Sequence, residues 1–145
     1  MELVSQIITI GILATTGMTF FSYAISYFSK SKFEEPQLIN TLLDRIPNKN
    51  QPVCQEHIIG WLLHILIGIF FVTLFKIGLL YTVLTLSLVS GMVFGFSAGL
   101  LGVLSWHLAF TFHPDPPNID KITFYIQLVV AHIIFGVCCV LLFKL

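Results

Sequence analysis

Four long apolar runs dominate the chain. They occupy residues 3–28, 58–75, about 79–112 and 122–143, and every Asp, Glu, Lys and Arg lies outside them. About 20 consecutive apolar residues are enough for an α-helix to cross roughly 30 Å of hydrocarbon. The pattern therefore predicts an all-α integral membrane protein, in which four transmembrane helices form a small bundle and residues 1–145 make a single membrane domain.

Turn-forming residues mark the breaks between these runs. Lys76, followed by Gly78, predicts a tight turn between the second and third spans. Residues 113–118, His-Pro-Asp-Pro-Pro-Asn, end the third run, because proline lacks an amide N–H and disfavours helix in the residue before it. At more than 30 residues, the third run is expected to tilt or to project beyond the bilayer.

The connection between the first two spans has its own helical pattern. Glu34 and Glu35 precede Pro36, a residue typical of the first helical turn. Apolar residues then recur at helical spacing: Leu38, Ile39, Leu42, Leu43 and Ile46. Residues 34–46 are therefore predicted to form a short amphipathic helix in the membrane interface, with its apolar face towards the lipid. It is interpreted as a simple connector, and the alternative is a lid or a docking site for a partner.

Composition and charge narrow the class further. Hydrophobic residues make up 57% of the chain and charged residues 10%, whereas a soluble domain is roughly a quarter charged. A water-soluble globule is excluded. Seven basic and seven acidic residues give a formal net charge of zero. Nucleic-acid binding is also excluded, because no excess of basic residues is present to neutralise phosphates.

The distribution of basic residues predicts the orientation. If all four runs cross the membrane, five basic residues lie on one side and two on the other. The larger group is Lys30, Lys32, Arg45, Lys49 and Lys121, and the smaller is Lys76 and Lys144. Because cytoplasmic connections are enriched in Lys and Arg, the first and third connections are predicted to be cytoplasmic and both termini to lie outside.

Three histidines are the main candidates for chemistry. At a rise of 1.5 Å per residue, His64, His107 and His132 lie at comparable depth on three different predicted spans. Facing histidines in a helical bundle bind haem iron or transition metals. The constellation predicts a site for haem b or a transition metal. The alternative is that these histidines are neutral and only hydrogen-bond across helices.

Other polar residues extend this predicted site into a pocket that opens towards the cytoplasm. Tyr125, His132 and Cys139 recur every seven residues and share one edge of the fourth span. The first span carries a similar polar edge that includes Thr19 and Ser22. The residues predicted to line the pocket, besides the three histidines, are His57, His113, Tyr125, Thr19, Ser22 and Cys139.

Small residues form the strongest local pattern in the chain. Ser87, Gly91, Gly95 and Gly99 repeat at every fourth position of the third span. Such spacing lets another helix approach closely. The pattern predicts helix packing, either inside the monomer or across a homo-oligomer or a larger membrane complex.

These observations favour a protein that binds a ligand in a histidine-lined intramembrane pocket, for electron transfer or metal handling. One alternative is a non-catalytic accessory or scaffold subunit that packs through the glycine pattern. Another is a small transporter or proton relay that acts as an oligomer. No nucleophile and base occur at a recognisable spacing, so no reaction is assigned and an enzyme is disfavoured.

Overall fold

The structure, a computed structural model, describes residues 2–29, 33–47, 53–82 and 84–145. Five α-helices account for most of these residues. They are α1 (Glu2–Ser29), α2 (Glu35–Asp44), α3 (Ile58–Tyr81), α4 (Leu88–Phe112) and α5 (Lys121–Phe143). All but α2 are long and apolar enough to cross a membrane. The prediction of a four-span, all-α bundle with a short helix between the first two spans is confirmed.

The predicted boundary between the second and third spans is wrong. Lys76 and Gly78 lie inside α3, which continues to Tyr81, and the break falls between Thr82 and Ser87. A single lysine near a helix end is tolerated because its long stem reaches towards the interface. Here the Lys76 ammonium also lies 4.9 Å from the centroid of the Phe143 ring. With this boundary, α3 has 24 residues and α4 has 25. The third span is therefore shorter than the apolar run that predicted it.

Hydrogen bonds explain where the chain turns between α3 and α4. The Thr82 backbone N–H and hydroxyl both donate to the Gly78 carbonyl, at 3.1 and 2.6 Å. Ser87 caps the next helix, because its hydroxyl oxygen accepts from the Ser90 backbone N–H at 3.2 Å. Ser87 therefore acts as a helix cap rather than as part of the small-residue packing face.

The short helix α2 packs against the end of the bundle. Leu38 is buried and Leu42 half-buried in a cluster with Phe110 and Phe124. At Gly60 of α3 an added Cβ would collide with the carbonyl oxygen of Pro36, so the two backbones are in close contact. The apolar face of α2 that was expected to face lipid thus covers protein instead. Ile46, beyond the end of α2, is 48% exposed.

The closest helix packing joins α4 to α5. Gly91, Gly95 and Gly99 face the α5 backbone. They contact it at Gly136, His132 and Val129, respectively. A Cβ added to Gly95 would lie 2.8 Å from the Ile133 Cα atom, a separation that real Cβ atoms essentially never show. Glycine therefore permits a backbone-to-backbone approach within one chain. The stripe is covered by α5 and presents no free surface to a partner.

Packing between α3 and α4 is much less extensive. Helix α1 packs on both α3 and α5, and α5 packs on α4, so the four long helices form an incomplete ring. Helices α3 and α4 meet through aromatic rings at one end, where the Phe75 and Phe94 centroids are 4.8 Å apart. Nearer α2 the two helices diverge, and a cavity lies between them and the rest of the bundle.

Candidate functional site

A cavity of about 340 Å³ lies inside the bundle and beneath α2. All five helices contribute residues to it. Most of its wall is apolar, with Met18, Ile39, Ile67, Phe71, Leu128 and Phe135 among the lining side chains. The ionisable side chains in the wall are Glu35, His64 and His132. Ligand sites commonly combine an apolar wall with a few polar groups in this way.

The cavity opens sideways between α3 and α4. Ile67 of α3 and Ser105 of α4 both line it, although Ile67 is 48% exposed and Ser105 is also exposed. Both residues belong to helices that are long and apolar enough to span a membrane. The cavity therefore opens on a side of the bundle that is formed by two candidate membrane-spanning helices.

His64 is anchored by one ring nitrogen. The Thr19 hydroxyl donates its single proton to the Thr15 carbonyl at 2.8 Å, so its oxygen is left to accept. It lies 3.0 Å from His64 Nε2, which therefore donates to it. In the neutral ring Nδ1 then carries a lone pair, and it has no hydrogen-bond partner among the described residues.

His132 is anchored through its other ring nitrogen, Nδ1. Its Nδ1 lies 2.8 Å from the Leu128 carbonyl oxygen, which only accepts, so Nδ1 carries the proton. The lone pair of the neutral ring is then on Nε2, which faces α4. A Cβ added to Gly102 would lie 3.4 Å from this Nε2, so the glycine leaves room beside it. His64 and His132 thus each present one unpaired nitrogen at the same cavity.

His107 does not join them. Its side chain is exposed, and its Nδ1 lies 3.4 Å from the Tyr125 hydroxyl on the outside of α5. Within the described ranges, which include all five histidines, no group of three His, Cys, Asp or Glu side chains is placed to hold a metal ion. The expected cluster of three histidines is therefore not supported. Depth alone suggested it, but His107 lies on the opposite face of α4 from the cavity.

The residues predicted to line the pocket are dispersed. His57 caps α3 by accepting from the Ile59 backbone N–H at 3.2 Å, and it is exposed. Cys139 is buried in the apolar cluster at the other end of the bundle. Thr19 and Ser22 lie beside the cavity and orient groups that reach it, since Thr19 holds His64 and Ser22 holds Glu35.

His113 fixes α2 from outside the cavity. Its Nε2 lies 2.9 Å from the Leu42 carbonyl oxygen, to which it donates. Nearby, an Arg45 guanidinium nitrogen lies 3.3 Å from the Pro116 carbonyl oxygen and 3.6 Å from an Asp115 carboxylate oxygen. The connection between α4 and α5 therefore holds the C-terminal end of α2 in place over the cavity.

Glu35 is the principal site residue that sequence reasoning missed. The sequence pattern only places it before Pro36 at the start of a predicted interfacial helix, yet it is 1% exposed. The Ser22 hydroxyl donates to its Oε1 at 2.8 Å, and Gln127 Nε2 donates to the Ser22 oxygen at 2.6 Å. The available signal was the pair of Ser22 and Gln127, two polar residues placed inside apolar spans.

The environment of Glu35 favours its neutral form. Burial is the main cause, and with the smaller effect of the Glu34 charge it raises the pKa of Glu35 from 4.5 to about 7. Hydrogen bonding to the carboxyl group, to which the Ser22 hydroxyl donates at Oε1, acts in the opposite direction. Its Oε2 is buried without a hydrogen-bond partner among the described residues. An unpaired buried carboxyl oxygen costs free energy unless another group binds it.

Comparisons with protein-family models, with curated proteins and with solved structures found no match to this chain.

Proposed function

We propose that this protein binds a lipophilic small molecule within the membrane, in the cavity between α3 and α4. One observation carries the proposal: His64, His132 and Glu35 line one otherwise apolar cavity, and each has a nitrogen or oxygen atom without a hydrogen-bond partner among the described residues. A ligand with an apolar body and a polar head matches this wall. The side opening between Ile67 and Ser105 supports entry from the bilayer.

Haem b is a second candidate ligand, favoured by the anchoring of His132. An Nδ1–H donated to a backbone carbonyl is the arrangement that orients metal-ligating histidines. One or two imidazoles suffice as axial ligands of haem iron, whereas structural and catalytic sites for a bare zinc ion use three or four protein ligands. Of the two predicted cofactors, haem therefore fits the donors better than a bare transition metal, and its function would be electron transfer.

The first experiment identifies what the protein carries after gentle purification. The wild type and the His64→Ala, His132→Ala and His107→Ala variants are purified in a mild detergent, extracted and analysed by mass spectrometry. The wild type and His107→Ala should carry the same lipophilic compound, and the other two variants about tenfold less, as expected for the loss of one good hydrogen bond to a ligand. Equal amounts in all four proteins would contradict the proposal.

An absorption spectrum of the same samples separates haem from other ligands. If haem is bound, a Soret band should be present in the wild type and in His107→Ala, and should be lost in His64→Ala or His132→Ala. If the spectrum lacks a Soret band while an extracted compound follows the histidine variants, the ligand is organic and haem is excluded.

We also propose that α2 and the α4–α5 connection lie on the cytoplasmic side, which the excess of basic residues supports. Cys54 is exposed and near α2, whereas Cys139 is buried and Cys138 half-buried. A membrane-impermeant thiol reagent should therefore label Cys54 only after the cells are lysed. Labelling of intact cells would reverse the orientation and place α2 on the outer face.

A further inference from the structure

Three polar atoms without a hydrogen-bond partner among the described residues belong to side chains that line the cavity, on three different helices. They are Oε2 of Glu35 on α2, Nδ1 of His64 on α3 and Nε2 of His132 on α5. All three residues are at most 9% exposed. Another unpaired polar atom in the lining, the Thr15 hydroxyl oxygen, is packed against the Gly68 backbone. The two imidazole nitrogens accept hydrogen bonds, and Glu35 Oε2 also accepts when its carboxyl group is ionised, so a ligand that brings hydrogen-bond donors and a positive charge matches this part of the wall.

Gln127, Ser22 and Ser105 each donate a hydrogen bond within the protein. Gln127 donates to Ser22 and Ser22 donates to Glu35, so this chain of hydrogen bonds ends at the carboxyl group. The Ser105 hydroxyl donates to the Leu101 carbonyl at 2.8 Å. Glu35 Oε2 is left without a donor among the described residues.

We propose that the ligand is a lipophilic primary amine, bound as its ammonium ion, with N–H groups directed at Glu35, His64 and His132 and its hydrocarbon part in the apolar wall. This inference rests on the proposed function and names the chemical class of its ligand. An ammonium group carries three donors on one atom and a positive charge, which match three acceptors of which one is a carboxylate.

Other head groups match the wall less well. A hydroxyl group brings one proton to three acceptors. A carboxylate brings a negative charge next to Glu35, which disfavours ionisation of both groups. A quaternary ammonium has the charge but lacks N–H groups. Burial raises the pKa of Glu35 to about 7, and an ammonium at Oε2 compensates that effect by favouring the carboxylate.

The test compares head groups on one hydrocarbon chain. The wild-type protein is placed in phosphatidylcholine nanodiscs, and its thermal unfolding is followed as dodecylamine, dodecanol, dodecanoate or dodecyltrimethylammonium is added at equal mole fractions of lipid. A ligand that binds the folded state raises the melting temperature. Dodecylamine should give the largest rise and should reach half of its maximal effect at about tenfold lower mole fraction than dodecanol.

Glu35→Gln and Glu56→Gln provide the matched variants, since Glu56 is exposed and remote from the cavity lining. The preference for dodecylamine should disappear in Glu35→Gln and persist in Glu56→Gln. If dodecanol or dodecyltrimethylammonium stabilises the wild type as much as dodecylamine does, the assignment of an amine is overturned. The comparison in the wild type is decisive even if Glu35→Gln fails to fold.

The same experiment distinguishes this inference from the proposed function. If dodecanol stabilises the wild type and loses its effect in His132→Ala, the cavity binds lipophilic molecules and only the amine assignment fails. If none of the four compounds stabilises the wild type, and purified protein carries no extractable compound, both the amine assignment and the binding function fail.

Discussion

Helix α4 packs closely against α5 and loosely against α3. On one side, Gly91, Gly95 and Gly99 let α5 approach until backbones touch. On the other side, Ser105 and Ala109 of α4 line a cavity together with Ile67 and Phe71 of α3, and the two helices pack less closely. Because lipid solvates apolar side chains as well as protein does, close contact between membrane helices depends on small residues. The glycine side therefore holds the fold together, and the other side contains the cavity that we propose as the ligand site.

The largest expected effect comes from disrupting the packing of α4 against α5. Gly95→Leu forces a side chain into the space occupied by the His132 carbonyl and Ile133 Cα, so we expect a loss of about 3 kcal/mol in the free energy of unfolding. Unfolding in detergent by a chemical denaturant measures it. Ser97→Leu, at an exposed position on the same helix, is the control and should unfold like the wild type. Equal stability of both variants would show that α4 and α5 do not touch at Gly95.

The next effect concerns Glu35, a residue of α2 that lines the cavity. Its pKa is raised in the folded state, so the folded protein binds the proton more tightly than the unfolded chain. The contribution of Glu35 is fully present below pH 4.5 and is lost as the pH rises to about 7. Within that window, wild-type stability relative to Glu35→Gln should fall by at most about 1.4 kcal/mol per pH unit.

Unfolding of both proteins at several pH values from below 4.5 to above 7 checks this, with Glu56→Gln as the control at an exposed carboxylate. The difference between the wild type and Glu35→Gln should level off above pH 7. A difference that stays constant across the range would mean that Glu35 is not buried under α2.

The smallest effect is expected at the exposed end of α2. The Arg45 and Asp115 side chains are 38% and 70% exposed, and such pairs contribute roughly 0–1 kcal/mol. Asp115→Asn should therefore change the melting temperature far less than Glu35→Gln does at low pH. A larger loss in Asp115→Asn would show that the exposed end, rather than the buried end, holds α2 in place.

The helices of this fold were predictable from the sequence, whereas the cavity was not. Apolar runs without charge require helices in a membrane, since backbone groups have no other partners there. The boundary predicted at Lys76 and Gly78 was wrong because one lysine and one glycine do not end a helix when the lysine side chain can reach the membrane interface. A clear signal came from the glycine stripe, but sequence alone did not say which helix covers it.

The histidines show where sequence reasoning stopped. Depth along a helix follows from residue counts, and it placed His64, His107 and His132 at one level. The direction in which a side chain points around the helix axis depends on which neighbouring helix packs against each face. The glycine stripe turns one face of α4 towards α5, and His107 is left on an outer face beside Tyr125. Glu35 was missed for the same reason, because its burial results from the docking of α2 onto the bundle.

The central claim is that the cavity beside α4 binds a lipophilic molecule, and filling the cavity tests it most directly. Ala109→Phe places a ring into the cavity from α4, whereas Leu108→Phe places the same ring at a neighbouring position that is 44% exposed and outside the lining. Stabilisation by dodecylamine in nanodiscs is measured for both variants. Ala109→Phe should abolish the rise in melting temperature, and Leu108→Phe should retain it. An equal rise in both variants would contradict the claim.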